Sequence, residues 1–237
     1  MDSAGWGSSV GGQNYQNSYC VKCNWGPSNF DQRHVFSFSG IYTLPFGKGA
    51  QFLNNNVIAD EVLGGWRLAA TSRENTGAPF TPTMSTNNSF SQAGSQYPDL
   101  IGNPKLAHKT IGNWFNKDAY GFNRSCQETP IDGKPATTCG LGVFGHLHRN
   151  SLYGPSYSNL DLSMGKTFNI LEGMKLEIRA DAKNALNHAS FCGPDSSITP
   201  STTYDTGGGL VNPNSDAKAS CVTDGGRHIQ LYGKFTF

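Results

Sequence analysis

The chain has 237 residues, a formal net charge of +1 and only 15% charged residues, so it offers no electrostatic footprint for nucleic acid. A hydrophobic fraction of 36% is low for a globular core, yet 11% aromatics argues against disorder. No run approaches the roughly twenty apolar residues that a membrane-crossing helix needs.

Residues 1–30 form a Gly/Asn/Ser-rich loop segment without periodicity. The first strand runs from Arg33 to Leu44, with Phe36, Phe38, Gly40, Tyr42 and Leu44 on one face and Ser37, Ser39 and Thr43 on the other. It ends at Pro45-Phe-Gly-Lys-Gly, a turn signal. A second strand starts near Trp66 and loses its alternation around Gly77-Ala-Pro-Phe. Residues 83–113 are long and polar, with a short ordered element expected between Pro98 and Ile111. Trp114 to Phe122 suits a helical turn or a weak strand, and Arg124 to Gly140 reads as a loop.

The pattern sharpens after Tyr153. Asn159 to Phe168 places Leu160, Leu162, Met164 and Phe168 opposite Asp161, Ser163 and Thr167. Leu171-Glu-Gly-Met makes a short turn. Met174 to Leu186 then alternates Leu176, Ile178, Ala180 and Ala182 with Lys175, Glu177, Arg179, Asp181 and Lys183. Asn187 to Gly226 is a Pro/Gly/Asn/Ser-rich loop.

The last ten residues, His228 to Phe237, put Ile229, Leu231, Gly233, Phe235 and Phe237 on one side and His228, Gln230, Tyr232, Lys234 and Thr236 on the other. An apolar-out, polar-in strand of about ten residues is what a transmembrane β-barrel requires. It also resembles the carboxy-terminal signal of outer-membrane barrel proteins. Short turns alternate with loops of tens of residues, as expected for periplasmic and extracellular connections. The fold class is therefore all-β: a partial antiparallel transmembrane barrel of about six to eight strands with long external loops. The expected lipid-facing residues are Phe36, Phe38, Tyr42, Leu160, Leu162, Leu176, Ile178, Ile229, Leu231, Phe235 and Phe237, in a wall segment over residues 31–237. Lys175, Glu177, Arg179, Asp181 and Lys183 are expected to face the lumen.

Six cysteines allow fifteen connectivities. Sequence neighbourhood favours Cys20–Cys23, Cys126–Cys139 and Cys192–Cys221, each inside one polar stretch, which implies an oxidising compartment. A zinc half-site at Cys20 and Cys23 lacks a second close pair.

Several stretches are similar to the barrel of TonB-dependent outer-membrane transporters of the Oar-like, carboxypeptidase-regulatory-like group. They are Asp31 through Gly49, Leu63-Gly-Gly-Trp-Arg-Leu, Gly77-Ala-Pro-Phe, Trp114-Phe-Asn, Phe144-Gly-His-Leu-His-Arg-Asn-Ser-Leu-Tyr-Gly-Pro, Asn159-Leu-Asp-Leu-Ser and Arg179-Ala-Asp-Ala-Lys-Asn-Ala-Leu-Asn-His. The resemblance implies a cell outer membrane location. Its implied partners are outer-membrane lipid, the rest of the barrel and its plug, a TonB-type energising protein and an external ligand related to carbohydrate or peptide. Such transporters have 22 strands and a plugged lumen, on the order of 450 residues or more. The first residues, Met1-Asp-Ser-Ala-Gly-Trp-Gly, carry neither a basic nor an apolar leader region, so a fragment of a larger protein is expected.

No catalytic, cofactor or metal site is expected. His146 and His148, with Arg149 beside them, read as a lumen-facing polar pair rather than a metal site. Phe46-Gly-Lys-Gly lacks the strand and helix of a phosphate loop. Asp161, Glu177 and Asp181 resemble a glycosidase pair only superficially, because cations alternate with them. There is no Gly-x-Ser-x-Gly. Two alternatives remain open: an autonomous small barrel acting as a pore or adhesin, and a secreted, disulfide-stapled β-sandwich that binds surface ligands.

Overall fold

A computed structural model describes residues 16–17, 19–46, 51–52, 62–84, 96–121, 144–171, 173–198, 217–219, 222–223 and 225–237. The strands are β1 (Val35–Thr43), β2 (Trp66–Asn75), β3 (Pro79–Phe80), β4 (Thr83–Met84), β5 (Asp99–Leu100), β6 (Tyr120–Gly121), β7 (Leu152–Tyr153), β8 (Tyr157–Leu171), β9 (Met174–Lys183), β10 (Ser197–Ile198) and β11 (His228–Thr236). Two 3-10 turns, Val21–Asn24 and Lys117–Ala119, and a helical turn at Val62–Leu63 complete the regular structure. The fold is all-β and mainly antiparallel, and the chain divides into two compact units.

One unit comprises Arg33–Thr76, Ser156–Phe191 and Val222–Phe237. It holds a five-stranded sheet in the order β1-β2-β8-β9-β11, antiparallel at every pairing. These are the five segments whose period-2 alternation is clearest, because each side chain has only two faces to choose between. The sheet is open: neither β1 nor β11 has a strand beyond it among the described residues. In β1, the Phe38 ring covers Gly40, where a Cβ would lie 2.9 Å from Phe38 Cζ. An aromatic thus fills the gap that a strand glycine leaves. Asn184 (φ 48°) follows the last residue of β9. Its backbone N–H donates to Asp161 Oδ1 at 2.9 Å, and its amide donates to His188 O at 3.0 Å and Gly225 O at 3.1 Å.

Connectivity follows from the meander. Residues 76–156 and 184–227 both leave and return at one end of the sheet, and residues 44–65 and 172–173 at the other. The turn signal at Pro45 therefore opens a link that runs to Gly65 rather than a tight turn. The Leu171-Glu-Gly-Met turn is short, as expected, with Gly173 at φ 89°.

The other unit comprises Met1–Gln32, Gly77–Pro155 and Cys192–Cys221, and contains three small sheets: β3 with β7, β5 with β6, and a parallel pair of β4 with β10. It has its own core of Tyr97, Phe115, Ala119, Tyr120, Leu147, Leu152, Ile198 and Ala217, with Phe80 and Trp114 packed against it. Phe115 meets Tyr120 edge-on at 5.9 Å, a favoured geometry for paired quadrupoles. The stretches read as loops thus carry packed structure, and Trp114 to Phe122 contains both a 3-10 turn and a short strand. Gln16 is buried in this unit, donating to Gly145 O at 2.8 Å and accepting from Tyr97 N. Cys20 and Cys23 form a disulfide, with Cα atoms 5.4 Å apart. Cys192 is disulfide-bonded to a partner outside the described residues, where Cys126, Cys139 and Cys221 also lie.

The Tyr97 and Tyr120 hydroxyls are buried without a hydrogen-bond partner among the described residues. Burial pushes both phenols above their ordinary value of 10.0, with nearby Arg149 opposing the shift at Tyr97. A raised phenol is stabilising while protonated, so its contribution persists below pH 10.0 and fades as pH climbs beyond it. Alkaline titration is therefore expected to loosen this unit, with these two phenols ionising only as near-ultraviolet circular dichroism is lost. Tyrosinate absorbance from both phenols while that signal stays intact would contradict the argument.

Candidate functional site

Cross-strand register converts strand alternation into two chemically opposite surfaces. Tyr42, Leu68, Met164, Ala180 and Leu231 form one continuous rung, because each is the direct partner of the next. The rung of Gly40, Ala70, Leu162, Ala182 and Ile229 lies beside it on the same face. Phe36, Phe38, Leu160, Leu176, Ile178 and Phe235 share that face by the same registers. The ten expected lipid-facing positions that lie within strands thus fall on one surface, and Phe237 continues their alternation just past β11.

That surface is exposed. Phe36 is 58% accessible, Ile229 65% and Leu231 81%, and the buried hydrophobic residues described all belong to the other unit. Leaving large apolar side chains in water forfeits about 1.5–3 kcal/mol each relative to burial. A secreted sandwich would bury this face under a second sheet, so the sandwich alternative does not fit.

Tyr42, Trp66, Phe168 and Phe235 gather toward the end of the sheet that carries residues 44–65 and 172–173. Among them lies a feature that strand alternation had not marked as functional. Lys166 belongs to the apolar face yet is only 5% exposed. Its ammonium donates to Val62 O at 2.8 Å and lies 5.3 Å from the Trp66 ring centroid and 4.9 Å from that of Phe168. The stem is covered by aromatics while the charge is satisfied by a carbonyl and two π faces. Trp66 Nε1 also donates to Val62 O, at 2.9 Å. An aromatic band with a folded-back lysine suits a lipid–water interface.

The opposite face is polar. Lys175, Glu177, Arg179, Asp181 and Lys183 all stand on it, and Glu177 pairs in register with Lys234. A cleft of about 310 Å³ opens here, lined by Arg67, Ser163, Thr167, Glu177, Arg179 and Asp181. The small residue Gly165 sits opposite Arg179 in the ladder and leaves room for the cleft. Arg179 Nε donates to Asp181 Oδ2 at 3.1 Å, and its guanidinium lies 5.0 Å from the Tyr232 ring centroid. Ser163 Oγ donates to Asp181 Oδ1 at 2.5 Å. Asp161 accepts from Asn184 N and from Asn159 Nδ2 at 3.2 Å. Asp161 and Asp181 are thus engaged in hydrogen bonds, which suits charged groups ordered along a wall rather than an acid–base pair.

His146 and His148 are not in the strands that carry this polar face; both belong to the other unit. His146 instead meets Asp99, whose side chain is 6% exposed, with Nδ1 at 3.1 Å from Oδ1. A separation of 47 residues hid that pair from sequence reading.

The family model for an outer membrane beta barrel domain matches residues 1–230. No curated protein and no solved structure matches the chain. An exposed apolar face, a polar face of ordered charges and this match agree on an outer-membrane location. The chain belongs to the outer membrane beta barrel domain family.

Proposed function

We propose that the chain builds the closing wall of a TonB-dependent, Oar-like transporter, with the loop-built unit presented outside the cell to receive a ligand related to carbohydrate or peptide. The observation that carries this reading is the division of labour along the chain. The two long connections, residues 76–156 and 184–227, leave one end of a lipid-compatible sheet and contribute most of a compact unit with its own core. Long, structured external connections suit ligand capture, and short periplasmic turns suit a wall. The polar face would meet a plug through Arg67, Glu177, Arg179 and Asp181.

Strand parity requires strands beyond the five-stranded sheet before an antiparallel wall can close. In a five-strand antiparallel meander, β1 and β11 run the same way. Joining them directly would make a parallel pair, whereas single-chain outer-membrane barrels are antiparallel and even-numbered. A second copy in the same membrane orientation would place its β1 against β11, again in parallel. An odd number of further strands must therefore intervene, a condition that a 22-strand barrel meets and an eight-strand one meets equally.

The test is the reading frame upstream of Met1 together with transport. An in-frame plug-coding region and ligand uptake abolished by removing the TonB-type energiser are expected. A steady ion conductance from the 237-residue chain alone in planar bilayers would overturn the reading in favour of a pore.

A further inference from the structure

We propose that His146 and His148 form a surface site for a divalent late transition-metal cation, with Asp99 as the residue that positions His146. The site stands independently of the transport reading. It lies within the loop-built unit, on the segment 144–150.

The backbone presents both rings outward. Leu147 is buried in the core, while His146 and His148 on either side of it are exposed. Two residues apart in sequence, their Cα atoms stand at most about 7 Å apart. Two imidazoles at that spacing can share one cation, each nitrogen about 2.0–2.1 Å from it.

Asp99 then fixes the chemistry of one ring. Its Oδ1 accepts from His146 N at 2.8 Å and lies 3.1 Å from His146 Nδ1. A carboxylate acceptor places the ring proton on Nδ1, which leaves the Nε2 lone pair free and directed away from Asp99. The imidazole is 69% exposed while the carboxylate is almost wholly buried. Metal-binding histidines characteristically donate their second ring nitrogen to a carboxylate in this way.

Both ends of the segment are pinned. A Cβ on Gly145 would lie 1.9 Å from Tyr97 O, so only glycine lets the segment lie flush against residues 97–98. At the other end, Asn150 is 1% exposed and its amide donates to Pro27 O at 2.7 Å. A segment held at both ends loses little conformational freedom when the cation binds.

Among the described residues no group of three or more His, Cys, Asp or Glu could hold a metal ion, and Asp99 is engaged with the inner ring nitrogen of His146. The site would therefore be open, completing its coordination with water or with a chelating ligand. Two imidazoles with free positions favour Cu²⁺ over Ni²⁺ and Zn²⁺ by the usual affinity order.

The test is titration of the full chain, folded in detergent micelles, with Cu²⁺ followed by electron paramagnetic resonance. One bound equivalent coupled to two imidazole nitrogens is expected. His148→Ala, an exposed and structurally mild change, should weaken binding at least tenfold and remove one nitrogen. Asp99→Asn should keep two nitrogens but weaken binding about tenfold and alter the coupling of the remote, non-coordinating nitrogen. A merely structural role for Asp99 would leave that coupling unmoved. His34→Ala and His108→Ala should change nothing. Unchanged affinity in His148→Ala, or a spectrum without imidazole coupling, would overturn the proposal.

Discussion

Met164→Arg is expected to be among the most damaging single substitutions in the sheet. Met164 sits on the central rung of the apolar face, with Leu68 and Ala180 as its direct partners. A charge on the lipid side of a barrel costs about 2–4 kcal/mol at the midplane. At 1.4 kcal/mol per decade, that lowers the folded population roughly 30- to 700-fold. Ser39→Arg places the same side chain on the polar face of β1, where Thr71 and then Asp161 follow in register. It should stay within about 0.5 kcal/mol of the parent. Denaturant titration of the protein folded into lipid vesicles, read by heat-modifiable gel migration, separates the two. Equal losses at Met164 and Ser39 would sink the assignment of the apolar face to lipid. The contrast also distinguishes membrane insertion from packing. Water on both faces would make Met164→Arg the milder change, because Met164 is already half exposed.

The sheet was legible in the sequence because a strand offers each side chain only two directions. Alternation around Phe36, Leu162, Ile178 and Leu231 assigns a face without knowledge of any neighbour. What alternation cannot supply is register. Nothing local shows that Glu177 stands opposite Lys234, or that Trp66 brings Lys166 under its ring. A lysine within an otherwise apolar row reads as an interruption until the cross-strand partners are known. The loop-built unit was least legible. Its core draws Tyr97, Phe115, Leu147, Ile198 and Ala217 from two separated stretches without helix or strand periodicity. Such stretches are ordered by side chain-to-backbone bonds and shape complementarity, which leave no repeating signal. His146 and His148 were accordingly read as a bare polar pair, with nothing local to show that they belong to this unit or that Asp99 meets His146. Cys20 and Cys23 were legible for the opposite reason: three residues of separation leave little to long-range packing.

Asn150→Ala is expected to unfold the loop-built unit selectively, at about 3–5 kcal/mol, because two penalties coincide at one buried position. Asn150 adopts φ 54°, a left-handed conformation that asparagine tolerates and alanine resists by about 1–2 kcal/mol. Its side chain also ties three segments together. The amide donates to Pro27 O at 2.7 Å and to Asn29 Oδ1 at 2.6 Å, and Oδ1 accepts from Thr81 Oγ1 at 3.1 Å. Thr81 Oγ1 in turn accepts from Asn150 N at 2.8 Å. Truncation leaves a carbonyl and a buried hydroxyl short of a partner, at about 1–3 kcal/mol for each buried group left unsatisfied. Asn150→Gly separates the two terms. Glycine loses the same hydrogen bonds but accepts the positive φ, so it should be less damaging than alanine by about 1 kcal/mol. Asn150→Asp should be at least as damaging as alanine, because a carboxylate would face Pro27 O and Asn29 Oδ1 where donors now stand. Hydrogen exchange resolves the outcome by segment, since units with separate cores open with their own free energies. Faster exchange is expected across 77–84, 96–121 and 144–155, with protection in β8 and β9 retained. Alanine and glycine variants of equal stability would remove the backbone term, and an alanine variant within about 0.5 kcal/mol of the parent would remove the clamp itself.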